Sequence, residues 1–380
     1  MEDPSPLEVA VLRRLGLGLE ARPVIGSLVR EVLASGGPRW GKLAGFRLDP
    51  GTAELVRRSG GGGDRSGLLR RLLGAHDEAV SRALASTEPP VPASDPTEAG
   101  PVPEPTVLDL KRKVLSLLGR DCRLCGLACG GTLPGCPARA GARYLQHYVH
   151  VGEEAEIGRT LVLELMGCNL WCRFCHKGDT LVEPGSGGDA LGPSVWTEVS
   201  SYPAGAFGSL SFLGGNPDQS LDGVLAILSC APPAARGWPV VWHTNGYSRP
   251  VLYDLLWGVV DVWVYDFKFF SDRCAVSLTR AADYVRTAKE GLEAVCGRDA
   301  SVPVIVRHLL LPGHESCCLE PLLRYLAERY RDRVLFNPMG QYVPSWRVGP
   351  GDGALSLPLP AGAAERARRR ARRMGLRLAG

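Results

Sequence analysis

No stretch of the 380 residues is apolar for the roughly 20 positions that a bilayer crossing takes; the run Trp257–Trp263, for example, is interrupted by Asp261. The start, Met1-Glu2-Asp3-Pro4-Ser5-Pro6, has neither the basic nor the apolar region of an export signal. A secreted disulfide framework is therefore not the expectation for the 12 cysteines. A soluble, cytoplasmic protein with reduced thiols and no membrane partner is. Lysine is scarce, six of 44 basic residues, and GC-rich coding explains that more simply than phosphate recognition does. No aromatic residue interleaves with the seven arginines of residues 361–380, so stacking on nucleic acid has no support.

At 45% hydrophobic and 22% charged, the chain is neither disordered nor a small disulfide-stapled module. Its charge is uneven: of the net +4, +6 sits in the last 20 residues, leaving −2 for the rest. There Arg366, Arg369, Arg370 and Arg373 recur at helical spacing, as a solvated terminal helix or as a docking face for an acidic partner. Residues 1–86 carry helix-like apolar patterns (Leu7, Ala10, Val11, Leu15, then Leu68, Leu69, Leu72, Leu73) broken by Gly60–Gly63, which predicts a separate, mainly helical module. Seven prolines between Thr87 and Thr106 predict an extended linker. A short helix over Val107–Leu118 leads into a cysteine-rich segment that runs to about residue 158, and residues 347–380 form a C-terminal segment ending in the basic helix.

From Arg159 the pattern becomes short buried strands alternating with helices. Strands are predicted at Thr160–Leu165, Ser209–Leu213, Pro239–His243, Val260–Asp266, Val302–Leu309 and Val334–Asn337. Helical patterns lie between several of them, at Leu221–Leu228, Arg280–Val295 and Leu319–Arg331. Such alternation implies parallel strands with right-handed crossovers. Six units are too few for an eight-stranded barrel, so the expected fold is α/β, an open, partial TIM-like barrel over residues 159–346. Its chemistry is expected on the rim after the strands, at Cys168, Asn216, His243–Asn245, Asp266, Lys268, Arg307, His308 and Gln341.

After the first strand stands Gly167-Cys168-Asn169-Leu170-Trp171-Cys172-Arg173-Phe174-Cys175-His176. Cys168, Cys172 and Cys175, at C-x3-C-x2-C spacing, can give three thiolates to a [4Fe-4S] cubane and leave the fourth iron open. Haem attachment through Cys172–His176 would follow export and leave Cys168 unexplained, and zinc would need His176 as its fourth ligand.

This spacing after the first strand of a six-unit chain resembles the radical S-adenosylmethionine (SAM) superfamily. Cys175-His176-Lys177-Gly178-Asp179-Thr180 is similar to the C-H-N-R-D-T continuation of pyruvate formate-lyase activating enzymes, and Gly214-Gly215-Asn216-Pro217 to the G-G-E-P strand end. The second likeness implies that Gly214, Gly215 and Asn216, here in place of Glu, hold the SAM amino group. Four later stretches, Val240–Tyr247, Val260–Lys268, Val306–His314 and Asn337–Pro344, resemble homologues of those activating enzymes. His243 stands where the activating enzymes have the aspartate of a cation site. The resemblance covers about residues 107–346. It implies reductive SAM cleavage to a 5′-deoxyadenosyl radical that abstracts hydrogen, with an electron donor such as flavodoxin or ferredoxin, and a glycyl-radical enzyme, a peptide or a small molecule as target. A non-enzymatic iron-sulfur scaffold is the alternative. Asn245 and Arg307 suit the SAM carboxylate and ribose, since a guanidinium matches a carboxylate's geometry. Asp266 and Lys268 form either a buried ion pair or a SAM or substrate contact; His308 and His314 read equally well as structural histidines.

Upstream, Cys122, Cys125, Cys129 and Cys136 put four thiols in 15 residues, a second site for zinc or an iron-sulfur cluster. Cys230, Cys274, Cys296, Cys317 and Cys318 have no ligand spacing and are expected as small buried hydrophobes.

Overall fold

The computed structural model describes residues 24–58, 64–87, 104–119, 122–133, 136–182 and 187–380. The helical pattern of Leu7–Leu15, Gly60–Gly63 and most of the proline-rich run lie outside the described residues.

The chain is a mixed α/β protein built on one eight-stranded sheet. Its strands are β1 (Arg143–His150), β2 (Thr160–Leu165), β3 (Asp189–Ala190), β4 (Ser209–Gly214), β5 (Val240–Thr244), β6 (Val262–Asp266), β7 (Val304–Leu309) and β8 (Val334–Met339). They lie in the order β3-β1-β2-β4-β5-β6-β7-β8. From β2 to β8 all neighbours are parallel, while β1 pairs antiparallel with β2 and with β3. The six parallel strands are those expected from the apolar runs, with their starts trimmed at Pro239, Val260–Asp261 and Val302–Pro303. At one trimmed start the buried Asp261 carboxylate accepts from Val240 N at 2.8 Å and from Arg39 N at 3.0 Å.

Side chains alternate across the sheet because successive strand residues point to opposite faces. One face, with Leu161, Leu163, Phe212, Trp242, Tyr265, Val306 and Phe336, belongs to the main core under the helices. The other carries Val241, Val262, Val264 and Ile305, packed by Leu28, Val29 and Val32 from the helix Ser27–Ala34 and by Ile157. A core separate from the sheet is thus absent from the described N-terminal helices. Trp40, Leu72 and Val80 likewise join the main core. The sheet face needs cover, and these described helices supply the apolar surface.

Local capping sets where the helices begin. Thr106 and Asp109 form a reciprocal capping box at the start of Val107–Leu118, and Asp49, followed by Pro50, caps Pro50–Arg57. Lys111 is fully buried between these layers, with Nζ 2.8 Å from His76 Nε2 and 2.9 Å from the Trp257 carbonyl. At the far edge, Phe336 N donates to Arg377 O at 2.8 Å and Ala379 N to Phe336 O at 3.1 Å, so the C-terminus covers β8. The basic helix Ala363–Arg373 buries Ala367 and Ala371. Arg370 pairs with Glu320 at 2.8 Å, while Arg366, Arg369 and Arg373 are exposed. No helix among the described residues is long and apolar enough to cross a membrane.

Candidate metal centre

The loop after β2 turns at Gly167, whose φ of +86° suits glycine alone. Beside it runs the end of β4. Gly215 N donates to Leu165 O and Asn216 N to Gly167 O, each at 2.8 Å. A Cβ on Gly215 would stand 2.1 Å from the Gly167 carbonyl oxygen, so the two backbones touch where only glycine fits. Gly214, at φ +126°, makes the same close approach to Leu165. The paired glycines therefore act through backbone contact, which fixes where Cys168 leaves the sheet.

Further along, Arg280 N donates to Leu170 O and Arg173 N to Leu278 O, both at 2.9 Å, and the Arg280 guanidinium lies 3.3 Å from the centroid of the Trp171 ring. These contacts hold the loop from its other side. Cys172 is buried, while Cys168 and Cys175 are partly exposed. Burial pushes the Cys172 and Cys175 thiols up, the neighbouring sulfurs add to this, and the Lys268 ammonium opposes it. The three sulfurs feel one another electrostatically, and soft thiolate donors on one loop are the ligand type an iron-sulfur cluster takes. Cys168 Sγ also receives Asn245 Nδ2 at 3.6 Å and Leu170 N at 3.5 Å, donors that favour a sulfur carrying negative charge.

The rim residues expected from the sequence do converge, in two groups. Asn216, Asn245 and Asn169 form a buried amide network under Cys168. Asn245 Nδ2 donates to Asn169 Oδ1 at 2.7 Å, Asn245 N to Asn216 Oδ1 at 3.1 Å, and Asn216 Nδ2 to Gln219 Oε1 at 3.0 Å. The second group faces the sheet's other side. Lys268 pairs with Asp266 at 2.7 Å, and Arg307, in register with Asp266, binds Glu153 and Glu154, with His243 Nδ1 3.3 Å away. Burial lowers His243 to about 4, so its ring is neutral. Burial works against Glu153, but Arg307 holds its carboxylate well below the usual range.

Other residues fall outside these groups. His176 is exposed, and Lys177 beside it reaches back to the buried Glu164 at 3.0 Å. His308 is buried with Nδ1 2.7 Å from the Phe267 carbonyl, a structural histidine. Gln341 is exposed and Tyr342 buried, its hydroxyl bound to Leu355 O at 2.5 Å.

Sequence reasoning missed Glu153 and Glu154, whose only local signal is a pair of acids between two strands. It also missed Asp218, a buried carboxylate that accepts from Trp242 Nε1 at 2.9 Å and from Thr244 and Ser248, each at 2.6 Å, and so ties the β4 and β5 ends together. The Cys122 group lies next to the first. Cys122, Cys125, Cys129 and Cys136 line one cavity with Cys168 and Trp171. The segment is anchored by Gly126 N to Tyr247 O at 3.1 Å and Arg249 N to Leu124 O at 2.9 Å.

Fold and site together define an α/β protein with cysteine loops gathered at the carboxyl ends of parallel strands. No family model matches the chain. It is 27% identical over 253 residues to the uncharacterized protein MJ0674 of Methanocaldococcus jannaschii, a match over 64% of this chain and 72% of that one. Among solved structures it is similar to QueE from Escherichia coli, at 12% identity and TM-score 0.36, over 62% of this chain and 92% of QueE. It is also similar to TYW1 with a lysine-pyruvate adduct bound, at 12% identity and TM-score 0.34, over 50% of this chain and 66% of TYW1. Superpositions this loose carry no weight on activity.

Proposed function

We propose that this chain is a radical SAM enzyme of the activating-enzyme-like kind, with a [4Fe-4S] cluster on Cys168, Cys172 and Cys175 and SAM on the open iron. One observation carries the reading: the C-x3-C-x2-C loop leaves the first parallel strand exactly where the glycine pair of the next strand locks its backbone. When bound, the cluster and SAM together supply a one-electron cleavage that yields methionine and a 5′-deoxyadenosyl radical, a hydrogen-abstracting agent.

The chain's own residues then do the positioning. Asn245 donates to the Cys168 sulfur, and Lys268 offsets thiolate charge while Asp266 holds its ammonium in place. Gly214 and Gly215 keep the strand end low enough for a ligand's amino group to approach backbone carbonyls. In this reading the six parallel strands curve as an open, partial barrel, and the rim group around Asp266, Arg307 and His243 faces its interior. A flavodoxin- or ferredoxin-like donor reduces the cluster, with the exposed Arg366, Arg369 and Arg373 as its contact. The Cys122 group takes a second metal, zinc or iron-sulfur, beside the first. The hydrogen donor is a protein, a peptide or a small molecule, and the setting is the reducing cytoplasm.

A second reading, a non-enzymatic iron-sulfur scaffold, is favoured by Asn216. That side chain is 1% exposed and its carbonyl oxygen already accepts from Asn245 N. Anaerobic reconstitution with iron, sulfide, dithionite and SAM separates the two. The enzyme releases 5′-deoxyadenosine, and Cys172→Ala abolishes both cluster and product. An intact cluster with no product would leave the scaffold, and product from Cys172→Ala would overturn the assignment to these cysteines.

A further inference from the structure

Three of the five cysteines without ligand spacing meet in space, together with a histidine. Cys274 sits in the helix Asp272–Leu278 that follows β6. His314 stands before a single wide turn, Glu315–Leu319, that follows β7 and holds Cys317 and Cys318. One ligand atom from each of these four residues lies within 4.8 Å of all the others. Cys274 Sγ is 3.6 Å from Cys317 Sγ, and Cys317 Sγ is 3.7 Å from His314 Nδ1.

These separations select among the things cysteines do. A disulfide would need its sulfurs at about 2 Å. A cubane puts each cysteine on a different iron and needs a wider set. A tetrahedral ion with metal–sulfur bonds of about 2.3 Å has edges of about 3.8 Å, and the shorter zinc–nitrogen bond brings the mixed edge slightly below that. The spacing matches the last case. Donor chemistry agrees, since three thiolates and one imidazole make a soft, closed, four-ligand set. Cys318 is 1% exposed, while Cys274, His314 and Cys317 remain partly open, which leaves a route for an ion to enter.

We propose that Cys274, His314, Cys317 and Cys318 form a tetrahedral Cys3His site for one zinc-class divalent ion, a structural clasp distinct from the cysteine loops at Cys122 and Cys168. Binding releases the thiol protons and needs no oxidant or reductant. The clasp joins the segments that follow two adjacent strands, β6 and β7, whose ends carry Asp266 and Arg307 in register. It closes a chain loop of about 40 residues across the rim, which lowers the entropy of the open chain in the manner of a covalent cross-link. The site does not depend on SAM chemistry.

The test uses the full chain, purified anaerobically, with zinc and iron measured per chain in wild type, Cys317→Ser and Cys274→Ala. To keep the Cys122 group from contributing, the same three are compared in a Cys122→Ser background. The expected result is loss of one zinc per chain in both variants, with iron unchanged. A wild-type measurement guards against variants that fail to fold. Reduced, metal-free Cys122→Ser protein titrated with Co2+ should develop the intense absorption of a tetrahedral thiolate site, missing when Cys317→Ser is added to that background, and alkylation mapped by mass spectrometry should spare Cys274 and Cys317 until a chelator is added. Zinc retained in full by both variants would overturn the proposal. So would equal alkylation of Cys274 and Cys317 with and without the ion, or recovery of the two as a disulfide from zinc-replete protein.

Discussion

Gly215→Ala puts the central packing argument at risk with a single methyl group. The new Cβ would lie 2.1 Å from the Gly167 oxygen, 2.6 Å from its carbonyl carbon and 3.0 Å from its nitrogen, all of them backbone atoms that cannot swing away. The β4 end and the Cys168 loop must therefore part by about 1 Å, an overpacking cost of about 1–3 kcal/mol. That movement stretches the 2.8 Å bonds Gly215 N to Leu165 O and Asn216 N to Gly167 O, which adds about 1 kcal/mol each. The sum, about 3–5 kcal/mol, is a large part of the roughly 5–15 kcal/mol of a typical domain. Gly74→Ala is the matched control: Gly74 is exposed within the helix Arg65–Ala85 and nothing lies within 4 Å of its would-be Cβ. There alanine should stabilise by up to about 1 kcal/mol, because it restricts the unfolded chain and favours helix. Urea unfolding followed by circular dichroism measures both, and iron per chain reports whether Cys168 is still in place. A Gly215→Ala protein within about 1 kcal/mol of wild type, iron retained, would refute the view that glycine contact positions the loop.

Replacing Arg307 with Met leaves Glu153 and Glu154 buried without their cation, so urea unfolding should show a loss of about 3–5 kcal/mol, partly restored when both glutamates become glutamine; a loss below about 1 kcal/mol would mean the carboxylates find another partner. Acid should destabilise the fold early. Burial lowers His76 to about 3 and His243 and His308 to about 4, so the unfolded chain takes up protons first as pH falls below about 6.5. Their stability contribution is complete above pH 6.5 and is lost on descent toward 4, about 2 kcal/mol per histidine by pH 5. Asp261, raised by burial to about 7, gains stability over the same descent and offsets about one histidine's share. His243→Gln should lower the slope of stability against pH between 6.5 and 4.5 by about one proton, and an unchanged slope would show that the ring is already charged in the fold.

What could be read from the residues alone was whatever the chain encodes within one or two turns or strands. Six short, largely apolar runs marked the six parallel strands, because a strand buried on both faces is mostly apolar. The Val107–Leu118 helix was legible to the residue, since its amphipathic period is local. The three-cysteine loop was legible as a pattern, because the spacing of Cys168, Cys172 and Cys175 is local to one loop. Among the other cysteines the uniform reading held for Cys296, which is buried, and failed for Cys230, which is exposed just past the helix Leu221–Ser229.

Tertiary structure alone decided the remainder. The helix Ser27–Ala34 covers a sheet face more than 200 residues away in sequence, through apolar packing that has no direction and leaves no motif. Cys274 found His314, Cys317 and Cys318 because adjacent parallel strands bring the segments that follow them to one rim, and Arg307 found Glu153 and Glu154 because the loop between β1 and β2 reaches its side of the sheet. Residue type fixed what each of these side chains can bind, while strand register settled which of them meet.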